Sequence, residues 1–376
     1  MPTYACQTTP IGNGAISVIE VVGSEVLTRV NTIFLSKSGR PIEKPFKLYY
    51  GHIYEQSNPI DEVIARFISR EESFSGEDTV EINCHGGFLP ARKILDALHK
   101  LGIEKISQNE LIQIAYQNKK IDRIQQEALS LLPTAVTRFS AKVLNDQYNG
   151  ALSGAIKKII ENTDTPTIKS EIAILLETAD LGISLESPKK IGIVGAPNVG
   201  KSTLFNALIG KYRVLVHPTP GTTRDPIKEI IAIDEIPFEI TDTAGVRKPQ
   251  DKLEEMSIER TEGIIRRADL LLMLYDAEGT DDLDTEKSSL RILNKVDLKH
   301  NVRADGFDVA VSALNGTNID TLRQKILEHL QLAGMKYSSG KAIVFTNRQK
   351  VLLDEINKID SNTATQKIIL NKLLWE

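Results

Sequence analysis

The residues with the clearest chemistry are Gly195-Ala196-Pro197-Asn198-Val199-Gly200-Lys201-Ser202. A glycine, a four-residue spacer and Gly-Lys-Ser is the pattern of a loop that wraps backbone N–H groups around phosphate oxygens. The flanks suit that task. Lys190-Ile191-Gly192-Ile193-Val194 reads as a short buried strand, and Thr203-Leu204-Phe205-Asn206-Ala207-Leu208 has helical spacing. A strand, a turn and a helix in that order aim the positive end of the helix at an anion. In such a loop Lys201 bridges the β- and γ-phosphates and Ser202 ligates Mg²⁺. The segment predicts nucleoside triphosphate binding, with contacts from Asn198, Val199, Gly200, Lys201, Ser202 and Thr203.

Three downstream stations identify the base and the metal. Asp242-Thr243-Ala244-Gly245 follows the apolar run Phe238-Glu239-Ile240. A carboxylate at that strand end reaches Mg²⁺ through water, and the Gly245 N–H can sense a γ-phosphate. Asn294-Lys295-Val296-Asp297 follows Leu290-Arg291-Ile292-Leu293. The Asp297 carboxylate can accept both guanine N1–H and the exocyclic N2–H₂, a donor pair that adenine lacks, and a mismatched polar pair is what rejects an analogue. Ser312-Ala313-Leu314, after the strand Asp308-Val309-Ala310-Val311, is expected to offer a backbone N–H to the guanine carbonyl. Together and in this order, the stations predict a guanine-nucleotide-binding domain of the Ras-like P-loop kind.

Gly221-Thr222-Thr223-Arg224-Asp225 places threonines where a hydroxyl can join Ser202 on Mg²⁺ when a γ-phosphate is present. The residue after Asp-Thr-Ala-Gly is Val246. A Ras-type enzyme has a water-positioning Gln there, and an apolar side chain cannot orient water. At this point the chain resembles the MnmE (TrmE) family of tRNA-modification GTPases. The resemblance implies that a K⁺ ion stands where an arginine finger would sit, held by Asn198 and by the loop before Gly-Thr-Thr-Arg-Asp, with His217, Thr219 and Thr222 as the positions around it. His217 departs from the family, which has a Thr at that position. The resemblance also makes Glu254, within Asp251-Lys252-Leu253-Glu254-Glu255, the residue that orients the attacking water; on its own it reads as a solvated carboxylate at a helix start.

The chain has 376 residues, enough for two or three domains, with a net charge of −4. It carries no strong basic field, so any tRNA contact must come from a local patch. Two cysteines, Cys6 and Cys84, fit a reducing cytoplasm and exclude a disulfide framework. The opening Met1-Pro2-Thr3-Tyr4-Ala5-Cys6 lacks the regions of a signal peptide. No apolar run approaches the roughly 20 residues of a membrane span. The expectation is a cytoplasmic protein with no membrane partner.

Residues 1–116 alternate strands such as Gly14–Val21 with helices such as Leu89–Leu101, an α+β pattern. Residues 117–187 become helical, with Ile121, Ile124, Ala128, Leu131 and Leu132 at helical spacing. Residues 188–333 carry every nucleotide motif, closing on the helix Ile319–Leu327, and 334–376 return to helix after Ser338-Ser339-Gly340. The expected architecture is multidomain α+β and α/β: an N-terminal folate-binding-like dimerisation domain, a helical domain in two pieces, and a Ras-like P-loop GTPase domain inserted in it, as in MnmE.

In the N-terminal part, Thr9-Pro10-Ile11-Gly12-Asn13-Gly14-Ala15-Ile16, the segment from Phe74-Ser75-Gly76-Glu77-Asp78 to Cys84-His85-Gly86-Gly87, and Asn118-Lys119-Lys120-Ile121-Asp122 resemble family segments. The resemblance implies a tetrahydrofolate derivative near Glu81 and Lys120, a homodimer, an MnmG-like flavoprotein partner and tRNA as substrate. Three departures stand out. The family's folate-contacting Arg in the first strand is Glu20 here, the Pro-Gly-Glu-Phe segment is replaced by Ser107-Gln108-Asn109-Glu110-Leu111, and Leu370-Asn371-Lys372-Leu373-Leu374-Trp375-Glu376 stands where the family has a Cys-Ile-Gly-Lys tail. Only 17 residues separate Asp276 from Asn294, and Arg291 interrupts a strand that should be buried. Two function classes follow: a tRNA wobble-uridine modification GTPase, or a regulatory GTPase paralogue that kept the switch and lost the folate and cysteine chemistry, with reduced folate binding expected. A ribosome-assembly GTPase of the Era or EngA kind shares the nucleotide motifs but not the N-terminal segments.

Overall fold

The structure is a computed structural model; it describes residues 2–12, 14–161, 164–210, 228–242, 262–276, 286–298, 305–334, 337–359 and 362–376, without the side chains of Lys228 and Asp242. The chain divides into two compact units, Met1–Ser130 and Leu131–Leu374.

The first unit is a sheet with helices on it. Its elements are β1 (Tyr4–Gln7), β2 (Ile16–Val22), α1 (Val26–Val30), β3 (Phe34–Ser36), β4 (Leu48–Glu55), β5 (Asn58–Ile68), β6 (Thr79–His85), α2 (Phe88–Lys100), β7 (Glu104–Lys105), α3 (Gln108–Gln117) and α4 (Arg123–Leu131). The order across the sheet is β3-β4-β5-β6-β2-β1-β7. All the pairings are antiparallel except β1 with β7. Alternation along β5 explains which side is covered: Val63, Ala65 and Phe67 are buried, while Ile64 and Arg66 face outward. On the buried side Ile19, Val21 and Ile82 meet Ala91, Ile94 and Leu98 of α2, whose apolar residues recur at helical spacing. Ser107 starts α3 through a capping box: its side chain accepts from the Glu110 N–H, and Glu110 accepts from the Ser107 N–H. That is the local role of the segment that replaces Pro-Gly-Glu-Phe.

The second unit opens with helices α5 (Arg138–Tyr148), α6 (Ala151–Glu161), α7 (Thr165–Leu176) and α8 (Ala179–Glu186). Then come β8 (Lys189–Gly195), α9 (Lys201–Ile209), β9 (Lys228–Ile233), β10 (Ile236–Asp242), α10 (262–267), β11 (Leu270–Tyr275), β12 (Ser289–Leu293), β13 (Val309–Ala310) and α11 (Ile319–His329). Two further helices follow, α12 (Asn347–Asn357) and α13 (Thr363–Trp375). The strand order is β13-β12-β11-β8-β10-β9, parallel apart from the β9–β10 hairpin. Every residue of β11 is buried, as expected of a parallel strand covered on both faces.

Arg291 does not disrupt β12. Its guanidinium lies over the rings of Tyr275, at 5.3 Å, and Phe307, at 5.5 Å, so the charge is half-buried against π-faces rather than against aliphatic carbon. The helices before and after the sheet also meet each other. α12 packs on α7, the Val344 N–H donates to Thr178 Oγ1 at 2.9 Å, and Gly182 of α8 leaves space that a β-carbon would deny: it would stand 2.0 Å from the Val344 carbonyl oxygen.

Candidate nucleotide site

β8 delivers the loop to the carboxyl edge of the sheet, where open α/β sheets hold ligands. Gly195 ends β8 beside Leu274 of β11, with φ +150°, and a β-carbon there would sit 2.3 Å from the Leu274 carbonyl oxygen. Asn198 takes a left-handed φ of +61° at the tip of the loop, exposed, while Val199 is buried. Gly200, φ +104°, caps α9, and a β-carbon on it would meet Asn294 Nδ2 at 2.3 Å. The glycines of the motif are thus required by close approach as well as by backbone angle. Lys201 Nζ folds back across the loop to the carbonyls of Gly195 (3.0 Å) and Ala196 (2.8 Å). Ser202 and Thr203 are exposed in the first turn of α9, where backbone N–H groups have no acceptor within the helix.

Asn294 joins the other stations to this loop. It is buried; its Nδ2 donates to the Val199 carbonyl at 2.9 Å, and its Oδ1 accepts from the Ala313 N–H at 3.0 Å. A buried amide oxygen needs a donor, and the N–H of Ala313, within the Ser312-Ala313-Leu314 segment expected to face the base, supplies it. Ser312 is fully buried; its N–H donates to the Thr317 carbonyl and its Oγ accepts from the Asn315 N–H. Lys295 has φ +63°, and its ammonium pairs with Asp276 at 2.7 Å. Asp297 is exposed, and among the described residues its carboxylate has no hydrogen-bond or ion-pair partner. Asp242 closes β10 opposite Ile193 of β8, two residues before the loop glycine.

The donor set fits a hard cation. A serine hydroxyl at the loop and a carboxylate-bearing residue at the neighbouring strand end are oxygen ligands of the kind Mg²⁺ takes. His217, Thr219, Thr222, Thr223, Gly245, Val246 and Glu254 lie outside the described residues. The same holds for most of the short stretch between Asp276 and Asn294. Asn198 alone of the expected K⁺ positions is described.

In the first unit, Glu81 and Lys120 have different partners. Arg66 of β5 donates twice to Glu81, at 3.0 and 2.7 Å, and Asn83 Nδ2 donates at 2.8 Å. Burial pushes the Glu81 carboxyl up, but these bonds outweigh it and hold the pKa below the usual value. Glu20 lies opposite Glu81 across β2 and β6; burial, then the Glu81 charge, raises its pKa. Arg66 on β5 lies in the same row of the sheet as Glu20, with β6 between them. Lys120 Nζ donates to the Glu71 carbonyl, while Asn118 Nδ2 donates to the Ser75 carbonyl (2.9 Å) and to Glu77 (3.1 Å). The Phe74–Asp78 and Asn118–Asp122 segments are therefore bound to each other. The opening segment meets the His-Gly-Gly turn in the same way, since a β-carbon on Gly86 would overlap the Gly14 carbonyl. Both thiols are buried, and burial raises Cys6 to about 12 and Cys84 to about 11, so neither supplies a thiolate near neutral pH.

A family model described as the N-terminus of GTP-binding protein TrmE matches residues 3–120, and one described as 50S ribosome-binding GTPase matches residues 190–305. The tRNA modification GTPase MnmE of Clostridioides difficile (strain 630) is 32% identical over 413 aligned positions, covering 98% of this chain and 89% of that protein. The chain belongs to the MnmE family. MnmE of Alkaliphilus metalliredigens (strain QYMF) is likewise 32% identical, over 88% of this chain and 80% of its own length. Among solved structures, an Era variant of Aquifex aeolicus bound to GDP·AlF4⁻ is 29% identical over 37% of this chain and 56% of that one, with a TM-score of 0.28.

Three residues escaped the sequence reading: Arg66, Asp276 and Asp61. Each acts through a neighbour on another strand or loop, and only register reveals it. Asp61 accepts from the His85 N–H at 2.8 Å and holds His85 Nδ1 at 2.7 Å, turning a motif histidine into half of an ion pair. The hydrogen bond that Asp61 accepts from the His85 ring, and then its charge, raise the His85 pKa above 6.5. A raised pKa means that the pair's contribution to stability is complete below the unfolded value of about 6.5 and is lost as pH rises through the folded value. The His85 ring resonances should therefore titrate above those of a free histidine in an NMR pH series, and Asp61→Asn should return the midpoint to about 6.5. An unchanged midpoint in Asp61→Asn would remove Asp61 as the cause.

Proposed function

We propose that this chain binds and hydrolyses GTP and acts in tRNA wobble-uridine modification. The observation that carries the nucleotide half is the pair of Asn294 bonds, which ties the phosphate loop to the Ser312-Ala313 segment while the neighbouring Asp297 carboxylate stays exposed. Val199, Gly200, Lys201, Ser202 and Thr203 hold the phosphates, with Thr222, Thr223, Asp242 and Gly245 completing that side. Asp297 reads the guanine edge, with Lys295 beside it. Mg²⁺, when bound by Ser202 and Thr223, neutralises charge on the phosphate oxygens.

Glu254 orients the attacking water, because Val246 cannot. K⁺ at Asn198, His217, Thr219 and Thr222 supplies the positive charge that an arginine finger provides elsewhere. The domain reading places 1–116 as a dimerisation domain, 117–187 with 334–376 as one helical domain, and 188–333 as the GTPase inserted in it. The contact of α12 with α7 supports that insertion. A homodimer in the cytoplasm, working with an MnmG-like flavoprotein on tRNA, completes the reading; no helix among the described residues is long and apolar enough to cross a membrane. A tetrahydrofolate derivative at Glu81 and Lys120 would bind weakly, since Glu81 is already committed to Arg66. The regulatory-paralogue alternative is not favoured, because the similarity to MnmE proteins runs over 98% of the chain.

Base identity is tested by Asp297→Asn, which swaps an acceptor for a donor. The variant should prefer xanthine over guanine nucleotides, a change of about a hundredfold or more in the affinity ratio. Comparable binding of ATP and GTP by the unmutated chain would sink the guanine reading.

For the chemical step, GTP turnover should be faster in K⁺ than in Na⁺. Glu254→Ala should lower kcat by about tenfold or more with GTP affinity nearly unchanged, the mark of a group acting only in the transition state. Equal rates in the two salts refute the ion site, and an unaffected Glu254→Ala rate refutes the water-orienting role of Glu254.

The tRNA half is read by mass spectrometry of wobble uridines in a strain lacking its own MnmE and complemented with this chain. Modified uridine should return; its continued absence, with the protein expressed, counts against the modification role.

A further inference from the structure

Residues 337–345 run from the end of the GTPase segment to α12 without helix or strand. Buried backbone groups outside regular structure need other partners, and here side chains supply them. Asp146 on α5 accepts from Tyr337 Oη, from Ser339 Oγ at 3.1 Å and from the Gly340 N–H at 2.8 Å, all through one oxygen, Oδ2. Its neighbour Gln147, fully buried, donates to the Lys341 carbonyl at 3.1 Å and accepts from the Ile343 N–H at 3.1 Å. Thr178 accepts from the Val344 N–H, and Gln349 from the Phe345 N–H at 2.9 Å.

We propose that this strap is a conformational coupling element, with Asp146 as its latch and the nucleotide loops as the source of its two states. The strap has two dissimilar ends. Ile343, Val344 and Phe345 are buried, and Val344 lies against the side of α8 where Gly182 has no side chain. The end at Tyr337–Gly340 is exposed to half-exposed; its hydrogen bonds to α5 converge on the Asp146 carboxylate, and the Tyr337 ring also packs edge-on against Phe139 and under Lys142. A group of charge-assisted bonds at a solvent-facing end can open while a buried anchor stays closed.

Contacts lead from the phosphate loop to that latch. α9 leaves the loop at Lys201, and the carbonyls of Ala207 and Leu208 near its other end accept from Arg323 Nη2 at 3.2 and 3.3 Å. Arg323 belongs to α11, whose Leu327 lies in the apolar core against which Tyr337 packs. The packing of α5 and α8 on the GTPase sheet, through Val143, Leu181 and Leu185, is apolar. Apolar contact is non-directional and tolerates sliding; bonds to a fixed carboxylate do not. A cavity of about 480 Å³, lined by Phe139, Lys142, Glu235, Leu332 and Tyr337 among others, gives the Tyr337 ring room to leave Asp146.

Hydrogen–deuterium exchange of the full chain tests both parts; the nucleotide part rests on the guanine-nucleotide reading above. Without nucleotide, Asp146→Ala should exchange the hydrogen-bonded amides of Gly340 and Lys341 about tenfold faster than the unmutated chain, with 344–345 still protected. Tyr337→Phe, which removes one hydroxyl and keeps the ring, should give a smaller acceleration in the same place. No acceleration in Tyr337→Phe or in a folded Asp146→Ala overturns the latch. In the unmutated chain, exchange at Gly340 and Lys341 should differ by about threefold between GDP and a non-hydrolysable GTP analogue, and the difference should vanish in Asp146→Ala. Equal exchange in the two states, with both nucleotides shown to bind by fluorescence titration, overturns the coupling alone. If neither nucleotide binds, the coupling fails together with the guanine-nucleotide reading, and the nucleotide-free comparison still decides the latch.

Discussion

The nucleotide site depends on one buried amide. Asn294 has a donor and an acceptor on a short side chain, and both are used between segments far apart in sequence, Val199 and Ala313. Removing it would strand a buried carbonyl and a buried N–H, each costing about 1–3 kcal/mol. The same side chain sits against Gly200, where even a methyl group would collide with it. Loop, helix start and base-side segment are therefore positioned together, and the strands β8, β11 and β12 exist in this order to bring their ends to that amide.

The first unit is built around a different constraint. Its sheet buries one face under α2 and leaves charged groups on the other, so register decides which charges meet. Glu81 lies between Arg66 and Glu20 because β5, β6 and β2 pair at Arg66↔Glu81 and Glu20↔Glu81. A one-residue slip of β6 would send Glu81 to the opposite face, away from both partners. Burial pushes both carboxyls up; the bonds from Arg66 and Asn83 bring Glu81 below its usual value, while the Glu81 charge adds to burial and raises Glu20.

Much of this was legible in the sequence wherever function is local. The phosphate loop spans eight consecutive residues, and its strand and helix appear within a residue or two of where apolar spacing puts them. The pattern around Arg291 misleads, because a lone sequence gives no sign that Tyr275 and Phe307 will flank the guanidinium. Spacing likewise gives no sign that the Ala313 N–H meets the Asn294 Oδ1, 19 positions earlier in the chain. Strand β2 starts at Ile16 rather than Gly14 because Gly14 is pressed against Gly86, a contact 72 positions away in the chain. Spacing rules report neighbours along the chain; cross-strand partners such as Asp61 and Arg66 require register.

The two cysteines have a practical consequence. Cys6 and Cys84 lie inside the first unit, and burial keeps their thiols protonated well past neutrality. The folded chain is in effect free of reactive sulfur, although its sequence is not. A single cysteine placed on any exposed helix can carry a spin label or fluorophore without background from the native pair. Distances across the second unit can then be followed in the intact protein, with no need to replace residues that fill the core of the first.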